Sequence, residues 1–180
     1  PPLAVRLDVS GLEGKIEMAD AGVIGPGKFT YGTYLREKAR QLVYTEQPVP
    51  ANTWTEVGLA FTPEADGEVL LVLTGKYWTV DGKTMPVLTF WDDLSAVGCP
   101  LANGGFEEHT AEGPLGWIKS GASEPAAAIV QAPEPVHSGR FAARGWHDSK
   151  WAQRLAVKKG GRVQIRAWAF LRDASATLAL

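Results

Sequence analysis

Trp91-Asp92-Asp93-Leu94-Ser95-Ala96-Val97-Gly98-Cys99-Pro100-Leu101-Ala102-Asn103-Gly104-Gly105-Phe106-Glu107 is the stretch on which the reading of the fold turns. It reads as the end of one β unit joined to the start of the next. An apolar strand, Val87 to Trp91, ends in two carboxylates, resumes over Leu94 to Val97, turns at Gly98 and Pro100, and restarts at Phe106 after Asn-Gly-Gly. Glycine supplies positive φ and proline a fixed φ, so the break has a mechanism.

Towards the N-terminus, Leu3 to Val9 alternates apolar with charged residues from Val5 onward, the period of a half-buried strand. Lys15 to Ala19 reads as a second short strand, and 22–27 as a loop. Good helix formers occupy Leu35 to Val43, but the Thr, Tyr and Val residues around them favour strands over Tyr31 to Tyr44. Trp54 to Phe61 puts Val57, Leu59 and Phe61 on one face. Glu68 to Thr74 reads as a strand buried on both faces, and Lys76 to Pro86 as a loop carrying Tyr77 and Trp78. Towards the C-terminus, short strands are expected at Trp117 to Ser120, Ala126 to Val130, Arg140 to Gly145, Gln153 to Val157, Arg162 to Phe170 and Ala174 to Leu180. Many short strands without a long amphipathic helix predict an all-β sandwich.

Composition bounds the function. A chain of 180 residues holds one large sandwich or two very small ones, and a hydrophobic fraction of 45% excludes general disorder. Eighteen Lys and Arg against twenty Asp and Glu give a net charge of −2, which offers no footprint for nucleic acid or an anionic membrane. No apolar run approaches the ~18 to 20 residues that span a bilayer. The single Cys99 forbids an internal disulfide and fits no zinc pattern; it reads as a small buried residue beside a turn. The start at Pro1-Pro2-Leu3, without Met, reads as a trimmed one, compatible with a removed signal peptide.

At Asn103-Gly104-Gly105-Phe106-Glu107 and Trp91-Asp92-Asp93-Leu94 the chain resembles the galactose-binding-like β-jelly rolls that include many carbohydrate-binding modules. Those open with a sequence like N-G-G-F-E and close with one like W-D-D-L-x-V-G; here the closing signature comes first. Residues 103 to 170 resemble the family's first half, including Gln153-x-Leu155-x-Val157 and Val163-x-Ile165-x-Ala167-Trp168. Residues 54 to 97 resemble the second, including Trp54-x-x-Val57-x-x-x-Phe61-x-Pro63. The resemblance implies a jelly-roll sandwich over 1–180 whose half-units, 1–97 and 98–180, occur in permuted order. An out-of-phase fragment of a tandem array, or halves exchanged between neighbouring chains, would satisfy the same pattern. Each half alone would leave unpaired edges and half a core. Free apolar strands at Leu3 to Val9 and Ala174 to Leu180 would suit self-association.

Of the seven Trp, core packing is expected for Trp54, Trp91 and Trp168, which read as lying in strands. Trp146 and Trp151 fall in a polar loop with Arg144, His147, Asp148 and Lys150, and Tyr77 and Trp78 in another. An exposed Trp stacks on the apolar face of a sugar ring while neighbouring polar groups bond its hydroxyls. Trp146, Trp151, Trp78, Tyr77, His147, Asp148 and Arg144 are therefore the candidate carbohydrate-binding residues. The competing reading folds these aromatics back as caps on the sandwich ends.

The resemblance also implies a structural Ca²⁺ held by Glu107, Asp93 and Asp92 with carbonyls near Ser138-Gly139; hard oxygen donors suit that ion. Alternatively the carboxylates only terminate strands. Enzyme signatures mostly fail, and a glycosidase drawing its carboxylates from distant loops is the enzymatic alternative left open. Gly22 to Lys28 has phosphate-loop spacing, but Phe29 stands where Ser or Thr is needed. His109, His137 and His147 lack a G-x-S-x-G elbow or a Cys partner, and Glu107-Glu108 would point to opposite faces of a strand. The expectation is a secreted, non-catalytic polysaccharide- or oligosaccharide-binding module. The alternative is a structural or self-assembly module of an extracellular surface protein or filament.

Overall fold

A computed structural model describes residues 3–12, 16, 18–22, 33–35 and 42–173. The loop expected at 22–27 beyond Gly22, the helix-former run 36–41 and the apolar run Ala174 to Leu180 lie outside the described residues. The rest is all-β, and two six-stranded antiparallel sheets pack face to face.

The first sheet runs, edge to edge, β12 (Ile118–Ser120), β15 (Lys150–Val157), β6 (Gly67–Thr74), β1 (Ala4–Gly11), β4 (Leu42–Pro48) and β3 (Thr33–Leu35). The second runs β13 (Ala128–Gln131), β14 (Phe141–Gly145), β9 (Thr89–Val97), β16 (Val163–Leu171), β5 (Thr55–Pro63) and β2 (Met18–Gly22). Period-2 alternation turns Val5, Leu7 and Val9 of β1 inward onto Val163, Ile165, Ala167 and Ala169 of β16 in one buried core. The face shared by Val57, Leu59 and Phe61 is buried as its spacing requires. β6 is fully buried on one face, at Val69, Leu71 and Leu73, and only half-buried at Leu70 and Val72 on the other.

Strands from both parts of the chain interleave. β15 pairs with β6, β14 and β16 both pair with β9, and β16 also pairs with β5. β1 is hydrogen-bonded to β4 on one side and β6 on the other, so Leu3 to Val9 is an interior strand and presents no free edge.

The opening stretch folds differently from its sequence reading. Asp92 and Asp93 do not end a strand; they lie inside β9, at a bulge. Arg166 of β16 faces Ser95 and Trp168 faces Asp92, so β9 carries one extra residue, and Asp93 takes a φ of 47° there. The extra residue resets the inward–outward alternation. Trp91 and Leu94, three apart, thus both reach the core, and Asp92 is directed to the outer face. Phe106 does not restart a strand either: it sits at φ 58° in a loop, fully buried against Trp117 at 5.1 Å.

Lys76 to Pro86 is a hairpin rather than a loop, β7 (Lys76–Val80) with β8 (Lys83–Val87). Its turn residues, Asp81 and Gly82, both have positive φ, as a tight two-residue hairpin turn requires.

Three side-chain amides clamp backbone that has no strand partner. Gln47 accepts from Gly58 N–H and donates to its carbonyl, completing β5 where β2 does not reach. Gln153 holds Ala102 in the same way, at 2.8 and 2.9 Å, and ties the connector between β9 and the following loop to the first sheet. Asn103 accepts from Glu108 N–H and donates to the carbonyls of Glu108 and Leu115. Each amide supplies the donor and acceptor that a neighbouring strand would.

Candidate ligand site

The expected sugar-binding aromatics are mostly enclosed. Trp146 is 4% exposed and its indole N–H donates to Pro125 O; Trp151 is 2% exposed and donates to Arg144 O. The loop between them is a tight turn, closed by Trp146 N–H donating to Ser149 O at 2.8 Å, which leaves each indole flanking the sandwich interior. Neither presents a free face for stacking, so that expectation is corrected. Trp78 is partly buried against the core, with the Lys76 ammonium over its ring. Arg144 donates to Ala126 O, and its Nε is buried without a partner.

Tyr77, His147 and Asp148 do come together at the surface. Tyr77 meets the His147 ring edge to face at 4.7 Å, and His147 Nδ1 lies 2.6 Å from Asp148 Oδ1. Nearby, burial pulls the Lys150 ammonium below the ordinary lysine value, opposed by Asp8 and Asp148. This is a polar tip exposed at the surface.

The concave site lies elsewhere, on the open side of the sandwich. β12 and β13 are the adjacent edges of the two sheets, and the short hairpin of β10 (His109–Thr110) with β11 (Gly113–Pro114) closes over the gap between them. A cavity of about 400 Å³ results, lined by His109, Glu112, Lys119, Gln131, Phe141 and Trp151 together with the chain from 127 to 131. Phe141 and His109 meet edge to face at 4.3 Å, forming one wall. Trp151 forms the floor by its ring edge, close against Gly113, where a Cβ would approach the indole to 3.0 Å. The Lys119 ammonium stands 5.6 Å above the same indole. Among the described residues β13 pairs only with β14, so alternate peptide groups lie along its other edge. Of the sequence candidates only Trp151 reaches this site.

The three acidic candidates converge on another feature, the segment 137–141. Asp92, fully buried, accepts from Asp93, His137 and Ser138 backbone N–H. Asp93 takes the Ser138 hydroxyl on both oxygens and the His137 ring at 2.6 Å. Glu107 accepts from Arg140 and Phe141 N–H, and the Gly139 backbone comes so close that a Cβ there would collide with its carboxylate. Burial pushes the Asp92 carboxyl up to about 6 against the pull of its three N–H donors.

These carboxylates are thus met by N–H and O–H donors, the reverse of a cation site. Among the described residues no three His, Cys, Asp or Glu side chains gather to hold a metal. The arrangement is not a calcium cage as it stands. It pins 137–141 across the outer face of the second sheet, where His137 stacks on Trp168 at 4.1 Å and meets Trp54 edge to face. Trp54 and Trp168 therefore belong to this partly exposed outer cluster, with Phe170, and only Trp91 of the three is in the core.

No family model, curated protein or solved structure matches the chain.

Proposed function

We propose that the chain is a non-catalytic glycan-binding module whose ligand enters the cavity between β12 and β13. The observation that carries this reading is the cavity itself. Its ≈ 400 Å³ falls within the range for small-ligand sites and accommodates one or two sugar rings. Phe141, His109 and the Trp151 edge supply apolar contact. Gln131, Glu112, Lys119 and the open edge of β13 supply donors and acceptors at several angles, which polyhydroxyl ligands require. Calcium has no part in this reading.

The test is affinity electrophoresis of the chain on plant, algal and animal polysaccharides, with Phe141→Ala, His109→Ala and Tyr77→Ala variants checked for folding by circular dichroism. Phe141→Ala and His109→Ala should abolish retardation on the recognised glycan, whereas Tyr77→Ala, at the surface tip, should leave it intact. Sensitivity to Tyr77 instead, or a folded chain that no glycan retards, would overturn the proposal.

A further inference from the structure

Building on the cavity reading, we infer that its preferred ligand is an acidic sugar, a glycan bearing a ring carboxylate such as a uronate. Lys119 projects from the edge strand β12 over the Trp151 indole, and it forms no ion pair among the described residues. A ligand that fills the cavity must cover this ammonium and strip part of its water. Neutral hydroxyls replace that hydration incompletely; a carboxylate replaces it and adds a charge-assisted hydrogen bond.

The remaining lining groups are compatible with that orientation. A pyranose ring with its C–H face towards Phe141 and the Trp151 edge carries its carboxylate at the ring periphery, where Lys119 stands. Its hydroxyls then face Gln131 and the exposed peptide edge of β13. Glu112, at the turn between β10 and β11, is exposed like Lys119 and lines the same cavity. Its carboxylate accepts from the ligand's hydroxyls.

The experiment is titration calorimetry of the chain with oligogalacturonate and with the same oligomer after its carboxyls are reduced to alcohols, at low and high salt. Wild type should prefer the acid form and lose that preference in high salt. Lys119→Met, which keeps the apolar stem of an exposed side chain, should bind the acid form about tenfold more weakly and the reduced form unchanged. Lys119→Arg should retain most of the preference. Equal binding of the acid form by Lys119→Met and wild type overturns the inference, as does a wild-type preference for the reduced oligomer. Either result would leave the cavity reading standing as long as a Phe141-dependent glycan is found. If no glycan of either kind binds, the cavity reading falls, and the acidic preference falls with it.

Discussion

Replacing Asp92 by Asn should change how the stability of this protein depends on pH, whatever it does to stability at any one pH. The Asp92 carboxyl is fully buried beneath 137–141, and burial raises its pKa from the ordinary 3.8 to about 6. The folded state therefore holds this proton more tightly than the unfolded chain. The resulting stabilisation is complete below the unfolded value and is lost as pH rises through about 6. The distance from 3.8 to about 6 corresponds to about 3 kcal/mol. Because one proton is involved, the slope cannot exceed about 1.4 kcal/mol per pH unit, and with these two values it peaks at about 1.2 kcal/mol per unit. Urea unfolding of wild type and Asp92→Asn, followed by Trp fluorescence from about pH 4 to about pH 7.5, measures it. Titrating groups that do not couple to Asp92 contribute equally to both proteins, so the difference between the curves reports Asp92 together with its charge coupling to Asp93. Wild type should lose about 2.4 kcal/mol more than the variant across this range, the remainder being lost below pH 4. Parallel curves would refute the reasoning. So would a wild type that gains stability relative to the variant as pH rises, which would mean that the three N–H donors outweigh burial.

Gln153→Leu keeps the buried volume but leaves Ala102 N–H and C=O without their clamp; a loss of about 2 kcal/mol in urea unfolding is expected, and a change below about 0.5 kcal/mol would show that water replaces the amide. The melting temperature should be the same within about 1 °C in calcium and in EDTA, because Asp92, Asp93 and Glu107 are met by protein donors. A site saturated at a hundredfold its Kd would raise it by about 5 °C or more. Trp151→Ala should cost about 3 to 5 kcal/mol by opening the core beneath the cavity. Loss of glycan binding in that variant would not separate ligand contact from unfolding, so Trp151→Phe with a thermal melt is the informative comparison.

The sandwich was legible where one face alternates cleanly. Val57, Leu59 and Phe61, and Val163, Ile165, Ala167 and Ala169, are buried as their spacing demands. The Asp81-Gly82 pair also carried a hairpin signal, masked by the polar residues around it. Trp91-Asp92-Asp93-Leu94 looked like a strand ending because two carboxylates interrupt an apolar run; the bulge keeps the strand going and buries residues three apart. Trp146 and Trp151 looked exposed because their neighbours are polar, yet a four-residue turn is too short to carry two indoles away from the sandwich. The cavity had no local signal at all. Lys119, Gln131 and Phe141 meet there only because the edges of two different sheets lie side by side, a consequence of long-range pairing that no window of sequence contains.

The Asn103 clamp has a consequence for how the protein ages. Asn followed by Gly is the pair most prone to lose its amide, through attack of the following backbone nitrogen on the side-chain carbonyl. Here that carbonyl accepts from Glu108 N–H, and the amide nitrogen is tied to the Glu108 and Leu115 carbonyls. Gly104 is fixed in turn by its own carbonyl, which accepts from Leu94 N–H. These bonds restrain the rotation that would bring the side-chain carbonyl carbon onto the Gly104 nitrogen, and loosening of the connector releases it. The slow appearance of aspartate and isoaspartate at position 103 during storage therefore counts openings of the junction between β9 and the loop that follows, a chemical clock set by local unfolding.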